Sequence, residues 1–201
     1  MRFDWRHFAS KSDDWWNPPE PDSFVLEQLE EIRRQLVEQS PKRVLEIGVG
    51  RGRATPWITG NWLYFGLEAN SMLLKRARAG VGSPLILGTA TDLPLRPQSC
   101  DAIVAFDVVM HLWDRPSFLR ECRRILAPNG ILIFNFLRRF SRGWRRYCLA
   151  WLRHPHQIWD SRDRRFDVAQ QIVVLLERHG FFPEFRMATT SVPIVVARLV
   201  R

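Results

Sequence analysis

The chain has 201 residues, of which 46% are hydrophobic and 25% charged, a composition typical of a folded globular domain rather than of a disordered or fibrous protein. No run reaches the about 18 consecutive apolar residues that a membrane helix needs, and the three cysteines lack the spacing of a zinc site or a disulfide framework. The net charge of +9 is concentrated at residues 138–165, which hold nine arginines and two aspartates. We therefore expect a cytoplasmic protein, without a metal, whose basic segment has a separate role.

Helical and extended patterns alternate along the chain. A helix is predicted first, over residues 23–38, where apolar residues recur near the 3.6-residue period. Further helices are predicted at 53–59, 71–79 and 117–126. Short apolar runs predict strands at 43–47, 63–68, 84–87, 101–106 and 131–136. Strands that are apolar on both faces and alternate with helices predict a parallel sheet that is covered by helices on both faces. Such sheets bind ligands at the carboxyl ends of their strands.

The pattern changes after residue 136. A basic aromatic segment over 138–165 is followed by a predicted helix at 167–179 and two strands at 181–187 and 192–199. The polar residues 188–191 between these strands favour an antiparallel hairpin. We expect one α/β domain over 1–201, with residues 1–40 as an N-terminal cap and helix and 138–165 as an insertion.

Three glycines at alternate positions, Gly48, Gly50 and Gly52, follow the first predicted strand. Glycine permits positive φ and leaves no Cβ between the backbone and a ligand. A dinucleotide-binding fingerprint requires a further glycine where this chain has Arg53, which disfavours NAD. Glu68 ends the next strand, where a carboxylate can accept hydrogen bonds from both ribose hydroxyls of an adenosine. A tight loop with a capping glutamate is the structural alternative.

Five segments, in chain order, resemble the motifs of the class I S-adenosylmethionine-dependent methyltransferases. They are LEIGVGRG at 45–52, FGLEANSML at 65–73, GTATDLPL at 88–95, DAIVAFDVVMHL at 101–112 and LRECRRILAPNG at 119–130. The resemblance implies a Rossmann-like fold with a seven-stranded, mostly parallel sheet that ends in an antiparallel hairpin. It also implies S-adenosyl-L-methionine as the cofactor and S-adenosyl-L-homocysteine as the product, with no metal.

The resemblance implies roles for individual residues. Glu46 would orient the amino group of the cofactor, and Glu68 would hold the ribose hydroxyls. The other cofactor contacts that it implies are Gly48, Gly50, Ala69, Thr89, Ala90 and Phe106. At Thr89 the family usually has an acid that accepts a hydrogen bond from the adenine amino group. Because a threonine oxygen accepts more weakly than a carboxylate, we expect weaker recognition of the adenine.

Methyl transfer from a sulfonium is a nucleophilic displacement, so the protein's main task is to align the acceptor and exclude water. A base is needed only if the acceptor must lose a proton. The candidates are Asp107 and His111, which follow the fourth predicted strand. Structural roles are the alternative, since Asp107 suits a turn and His111 lies in an apolar segment.

The basic segment has the pattern of an amphipathic helix. Five residues from Trp144 to Leu152 share one helical face, with arginines largely on the other. Simple packing on the domain would explain this pattern. By the family resemblance, the segment would form a lid in which Trp144 and Trp151 line the acceptor pocket, with Trp16 closing the other side.

These features predict a methyltransferase that acts on a small-molecule or lipid-like acceptor. The basic helix makes an anionic membrane surface a candidate partner, whereas nucleic acid is less favoured. Two alternatives stay open: a non-catalytic relative that binds membrane or nucleic acid through this helix, and an RNA or protein methyltransferase.

Overall fold

The computed structural model describes residues 23–136, 169–186 and 192–200. The helices within these ranges are α1 (Ser23–Gln39), α2 (Thr55–Ile58), α3 (Ser71–Ala77), α4 (Arg115–Ile125) and α5 (Ala169–Arg178). The strands are β1 (Arg43–Ile47), β2 (Leu63–Glu68), β3 (Leu85–Leu87), β4 (Cys100–Ala105), β5 (Leu126–Asn135), β6 (Phe181–Arg186) and β7 (Ile194–Leu199). A short 3₁₀ turn, Val109–His111, precedes α4.

The seven strands form one sheet in the order β3-β2-β1-β4-β5-β7-β6. The first five run parallel, and β7 pairs antiparallel with both β5 and β6. The predicted mostly parallel sheet with an antiparallel C-terminal end is confirmed. After β1 the chain builds β2 and β3 on one side and then crosses to β4 on the other. The carboxyl ends of β1 and β4 therefore form the switch point at which such sheets bind ligands.

Apolar cores lie on both faces of the sheet, because successive residues of a strand point to opposite faces. Val44 belongs to the core that includes Leu29 and Ile32 of α1. Leu45 belongs to the core that includes Phe118 of α4 and Ile172 of α5. The strands are therefore buried between two helical layers, which explains their continuous apolar sequences.

Several boundaries differ from those predicted. The strand β5 begins at Leu126 rather than at residue 131, since Leu126 pairs with Cys100 before the register shifts to Ile131 opposite Ala102. Residues 128–130, which lie between the predicted helix and the predicted strand, belong to this irregular start of the strand. The helix α2 is a single turn, shorter than the predicted 53–59. The N-terminal cap up to residue 22, the 138–165 insertion and the 188–191 turn lie outside the described residues.

Among the described helices, none combines the length and the apolar character needed to cross a membrane.

Gly66 sets how closely the segment after β1 approaches the sheet. A Cβ added at Gly66 would lie 2.4 Å from Val49 Cγ2 and 2.7 Å from Leu85 Cδ2, whereas one added at Gly80 would meet no atom of the described part of the chain within 4 Å. We expect Gly66→Ala to lower the free energy of unfolding by about 1–3 kcal/mol through overpacking. Gly80→Ala should be neutral or stabilising by up to about 1 kcal/mol. Urea unfolding followed by circular dichroism measures both, and equal stabilities would contradict this packing.

Candidate active site

The glycine turn, residues 48–52, adopts a backbone that glycine alone accommodates easily. Gly48, Gly50 and Gly52 have φ values of 78°, 59° and 88°. The backbone N–H groups of Gly48 and Val49 both donate to the carbonyl oxygen of Leu67, at 2.7 and 3.2 Å. These hydrogen bonds fix the turn to the end of β2, so its position is set before any ligand binds.

Space around the glycine turn is distributed unevenly. A Cβ on Gly48 would lie 2.3 Å from Cγ2 of Val108, which follows β4. Among the described residues, a Cβ on Gly50 would meet no atom closer than the carbonyl oxygen of Gly48, at 4.0 Å. The turn is thus packed against the β4 loop at one glycine and open at the other, which leaves room for a ligand close to the backbone of Gly50.

Glu68 connects the three loops that follow β1, β2 and β3. Its side chain is 6% exposed, and its carboxylate accepts hydrogen bonds from the backbone N–H groups of Gly50 and Asn70, both at 2.8 Å. Its carbonyl oxygen accepts a third from the N–H of Gly88, at 3.1 Å. Burial raises the pKa of this carboxyl, and the backbone N–H groups partly oppose that rise. Each carboxylate oxygen can accept a further hydrogen bond, so Glu68 can still bind a diol.

Glu46 is buried beneath the glycine turn and is 2% exposed. Its Oε2 accepts hydrogen bonds from Thr55 Oγ1 at 2.9 Å and from Tyr64 Oη at 2.5 Å. Burial raises the pKa of Glu46 to about 7, and these two hydrogen bonds oppose the rise. Sequence reasoning did not identify Thr55 or Tyr64, because no motif connects a residue of α2 with one of β2.

The segment after β3 contains the other residues predicted to surround the adenine. Thr89 is exposed and pairs with the equally exposed Asp92 in an isolated bridge, while Ala90 between them is 7% exposed. Ala69, half-buried, follows Glu68 at the neighbouring strand end.

Two residues of α4 hold the end of this segment in place. Glu121 Oε2 accepts a hydrogen bond from the backbone N–H of Leu93 at 2.7 Å. The Arg124 guanidinium donates to the carbonyl oxygens of Leu93 and Leu95, at 2.8 and 2.7 Å. The segment after β3 is therefore fixed to helix α4 through its own backbone atoms.

The end of β4 carries an exposed carboxylate in a defined position. Asp107 has a φ of 56°, in the left-handed region, and its side chain is 40% exposed. Its Oδ2 accepts a hydrogen bond from Nη2 of Arg53 at 2.9 Å, and its Oδ1 accepts one from Nδ2 of Asn135 at 2.8 Å. The Arg53 guanidinium also lies 5.8 Å from the ring centroid of Phe106. Sequence reasoning used Arg53 only to exclude NAD and did not identify this ion pair.

Asn135, at the end of β5, is fully buried and connects Asp107 to helix α1. Its Oδ1 accepts a hydrogen bond from the backbone N–H of Asp107 at 2.7 Å, and its Nδ2 donates to Oε1 of Gln28 at 3.1 Å. Gln28 in turn donates to the carbonyl oxygen of Phe24. In the sequence, Asn135 stands out only as a polar residue that ends an apolar strand. Its partners Asp107 and Gln28 lie 28 and 107 residues away along the chain, so the sequence does not indicate these contacts.

His111, the other candidate base, ends the 3₁₀ turn in the same loop as Asp107 and is half-buried. Its backbone N–H donates to the carbonyl oxygen of Val108 at 2.8 Å. Trp16, Trp144 and Trp151 lie outside the described residues, so their predicted contacts with the acceptor stay predictions. Within the described ranges, no group of three or more His, Cys, Asp or Glu residues is placed to hold a metal ion.

Comparison with known proteins finds similarity to methyltransferases. The family model described as "Methyltransferase domain" matches residues 45–134, which include β1 to most of β5. A protein of Mycolicibacterium smegmatis named "Probable S-adenosylmethionine-dependent methyltransferase" is 30% identical over 115 residues, 56% of this chain and 45% of that protein. Residues 45–134 are thus similar to the methyltransferase domain, and the comparisons support a class I S-adenosylmethionine-dependent methyltransferase family for this chain.

Two further proteins extend the similarity along the chain. The ubiquinone biosynthesis O-methyltransferase of Dinoroseobacter shibae is 26% identical over 203 residues, 88% of this chain and 80% of that protein. The crystal structure of a methyltransferase from Thermotoga maritima superposes with a TM-score of 0.66 at 22% identity, covering 86% of this chain and 94% of that one, and shows the shared fold. The chain spans less than two thirds of the length of several curated relatives that it matches.

The burial of Glu46 predicts a pH-dependent stability. The pKa of Glu46 is about 7 in the folded protein and near its usual 4.5 in the unfolded chain. Between pH 4.5 and pH 7, therefore, the folded state keeps a proton on Glu46 that the unfolded state has released. Relative to Glu46→Gln, which does not titrate, the wild-type protein should lose roughly 3 kcal/mol of unfolding free energy as the pH rises from 4.5 to 7.

Urea unfolding of both proteins at a series of pH values measures this difference. The Glu30→Gln variant is the control, because Glu30 is exposed on α1 and its substitution should leave the pH dependence of the wild type unchanged. A constant difference between wild type and Glu46→Gln over this range would show that folding does not raise the pKa of Glu46.

Proposed function

We propose that this chain transfers a methyl group from S-adenosyl-L-methionine to a small-molecule or lipid-like acceptor. The observation that carries the proposal is the arrangement around Glu68. A buried carboxylate at the end of β2 hydrogen-bonds the backbone of Gly50, where the glycine turn has open space. One site therefore combines an acceptor for ribose hydroxyls with a backbone surface that a nucleoside can approach closely.

The order of the strands supports one direction of the ligand across the site. The loops after β3 and β2 carry the residues proposed to surround the adenine, which are Ala69, Thr89 and Ala90. Glu68 at the end of β2 would hold the ribose, and Gly48 and Gly50 after β1 would line the ribose and the methionine part. Phe106, 6% exposed at the end of β4, would lie near the reacting methyl group. Adenine, ribose and methionine thus follow β3, β2 and β1 in turn.

The chemistry requires little of the protein beyond positioning. When bound, S-adenosyl-L-methionine supplies an electrophilic methyl group on a positively charged sulfur. The chain's own residues would fix the nucleoside through Glu68 and keep water from the reacting centre through the buried ring of Phe106. No step in this reaction requires a metal ion. If the acceptor must lose a proton, Asp107 and His111 in the loop after β4 are the proposed bases.

A relative supports the proposed acceptor class. The Dinoroseobacter shibae protein is named for ubiquinone biosynthesis, and similarity to it extends over 88% of this chain. An apolar acceptor of this kind would suit the proposed lid of Trp144 and Trp151 and the proposed contact of Trp16. It would also suit a peripheral position at an anionic membrane surface, which we propose for the arginines of residues 138–165.

Cofactor binding is the first test of this function. At a concentration of 100 times its dissociation constant, a ligand of the native state raises the unfolding free energy by about 2.7 kcal/mol, so S-adenosyl-L-methionine should raise Tm clearly. Glu68→Gln should abolish this rise, because an amide cannot accept from Gly50, Asn70 and a ribose diol at once. Glu30→Gln, on exposed α1 surface, should retain it. Thermal unfolding with and without cofactor measures the effect, and an unchanged wild-type Tm would refute the cofactor assignment.

The acceptor class is tested by transfer of a labelled methyl group. The wild-type protein is incubated with methyl-labelled cofactor and separate small-molecule, lipid, protein and RNA fractions of the source cells. We expect label in the lipid or small-molecule fraction. Label confined to RNA or protein would replace our acceptor class with the alternative one. A protein that binds the cofactor but labels none of the fractions would support the non-catalytic alternative.

A further inference from the structure

We propose that the groove between α4 and α5 is a binding site for an anionic amphiphile, a phosphate or carboxylate head group that carries an aliphatic chain. The groove has a volume of about 510 Å³, within the usual range of ligand sites. It is lined by the first residue of α4 and by one side of α5, so it is separate from the glycine turn that follows β1. This site would bind its ligand whether or not the chain transfers methyl groups.

The two helices run parallel, side by side, on the same face of the sheet. Each leads into a strand, α4 into β5 and α5 into β6, and both strands share one direction because both pair antiparallel with β7. Near the ends of the helices, Arg123 Nη1 donates a hydrogen bond to the carbonyl oxygen of His179 at 3.0 Å. Arg115 lies about two helical turns before Arg123, so it is level with the first turn of α5.

The polar part of the lining suits an anion. It consists of Arg115 and Arg178 together with Gln170 and Gln171. Guanidinium groups stay charged in proteins and donate several hydrogen bonds, and the two side-chain amides add further donors. Among the described residues that line the groove, none is acidic. Glu177, the acid beside Arg178, is rotated from it by about 100° around α5 and is not one of these lining residues.

The two arginines lie toward opposite ends of the groove, and both act on an anion between them. Arg115 is 8% exposed, and its Nε donates a hydrogen bond to the carbonyl oxygen of Val109 at 3.2 Å. Arg178 is exposed, and helical side chains lean toward the N-terminus, so it can extend along the groove toward Gln171. The groove follows α5 from Gln170 to Arg178, roughly 12 Å. An anion midway is therefore within one Debye length of both, about 8 Å at physiological ionic strength.

The remaining lining is aliphatic, which favours a ligand with a hydrocarbon chain over a free inorganic anion. It consists of Ile172, Val174 and Leu175. Ile172 is buried in the core that α4 and α5 share, whereas Val174 is 42% exposed. A chain laid against this wall would cover apolar surface, and each buried methylene contributes about 0.8 kcal/mol. Cationic groups and an aliphatic wall in one groove are complementary to an amphiphile with an anionic head.

Three soluble probes separate the contributions of the head group and the chain. Octyl phosphate carries both, inorganic phosphate carries the head group alone, and octyl glucoside carries the same chain on a neutral head group. Isothermal titration calorimetry measures the three dissociation constants, with the alkyl compounds kept below the concentrations at which they form micelles. We expect the wild-type protein to bind octyl phosphate at least about tenfold more tightly than either of the others. Equal affinity for octyl phosphate and for either of the other probes would overturn the proposal.

Two exposed residues allow the groove to be altered without disturbing the core. Arg178→Gln removes a charge, and Val174→Asp places a carboxylate on the aliphatic wall. Their matched controls are Arg120→Gln and Val37→Asp, at exposed positions of α4 and α1 that are not among the lining residues. We expect Arg178→Gln to weaken octyl phosphate about two- to fivefold and Val174→Asp to weaken it about tenfold. Both controls should keep the wild-type affinity, and thermal unfolding checks that all four variants are folded.

Vesicles distinguish a membrane lipid from an amphiphile in solution as the source of the ligand. Flotation with phosphatidylcholine vesicles that contain phosphatidic acid is compared for the wild type, Arg178→Gln and Arg120→Gln. Weaker flotation of Arg178→Gln alone would assign the groove to a lipid in the bilayer. Equal flotation of all three, with octyl phosphate binding still dependent on Arg178, would assign it to a soluble amphiphile.

Two further results would overturn the proposed site. Arg120→Gln could weaken octyl phosphate as much as Arg178→Gln does, which would reduce the effect to one of net charge. Val174→Asp could bind octyl phosphate as the wild type does, which would place the ligand outside the groove. None of these measurements involves S-adenosyl-L-methionine, so their failure is distinct from a failure of the proposed function.

Discussion

The hydrogen bonds that end on Glu68 hold the candidate site together. Three loops, which follow three neighbouring parallel strands, each donate one backbone N–H to this residue, from Gly50, Asn70 and Gly88. The carboxylate is buried, and the hydrogen bonds from Gly50 and Asn70 offset part of the loss of its water contacts. The glycine turn, the β2 loop and the segment after β3 are therefore positioned together, and a ligand that bonds Glu68 contacts loops whose geometry is already set.

Three carboxylates lie at the same edge of the sheet, and their surroundings give them different properties. Glu46 is the most deeply buried and its pKa rises to about 7, so near neutral pH it is not a fixed anion. Burial also raises the pKa of Glu68, but hydrogen bonds from backbone N–H groups favour its charged form. Asp107 is 40% exposed and faces Arg53. Of the three, Asp107 is the carboxylate best placed to meet a cationic group of a ligand from solvent.

Hydrogen bonds from neighbouring helices and strands hold the loops of the site in place. Glu121 and Arg124 of α4 hold the segment after β3, and Asn135 of β5 holds Asp107. Gln28 extends the second network into α1, which packs on the opposite face of the sheet from α4. The irregular loops therefore gain their precision from contacts with helices and strands that bind no ligand themselves. This arrangement explains how a site built from loops can hold its residues in fixed positions.

The sequence by itself determined the order of strands and helices, the parallel sheet with its antiparallel end, the glycine turn and Glu68. These features depend on local periodicity, on glycine at positions with positive φ, and on spacings of about twenty residues along one unit of the fold. Only the tertiary structure decided the partners of Glu46, the ion pair of Arg53 with Asp107 and the network of Asn135. Those contacts join residues that are 9 to 107 positions apart and lie on different elements. Because hydrogen bonds depend on distances in space, no local pattern in the chain specifies them.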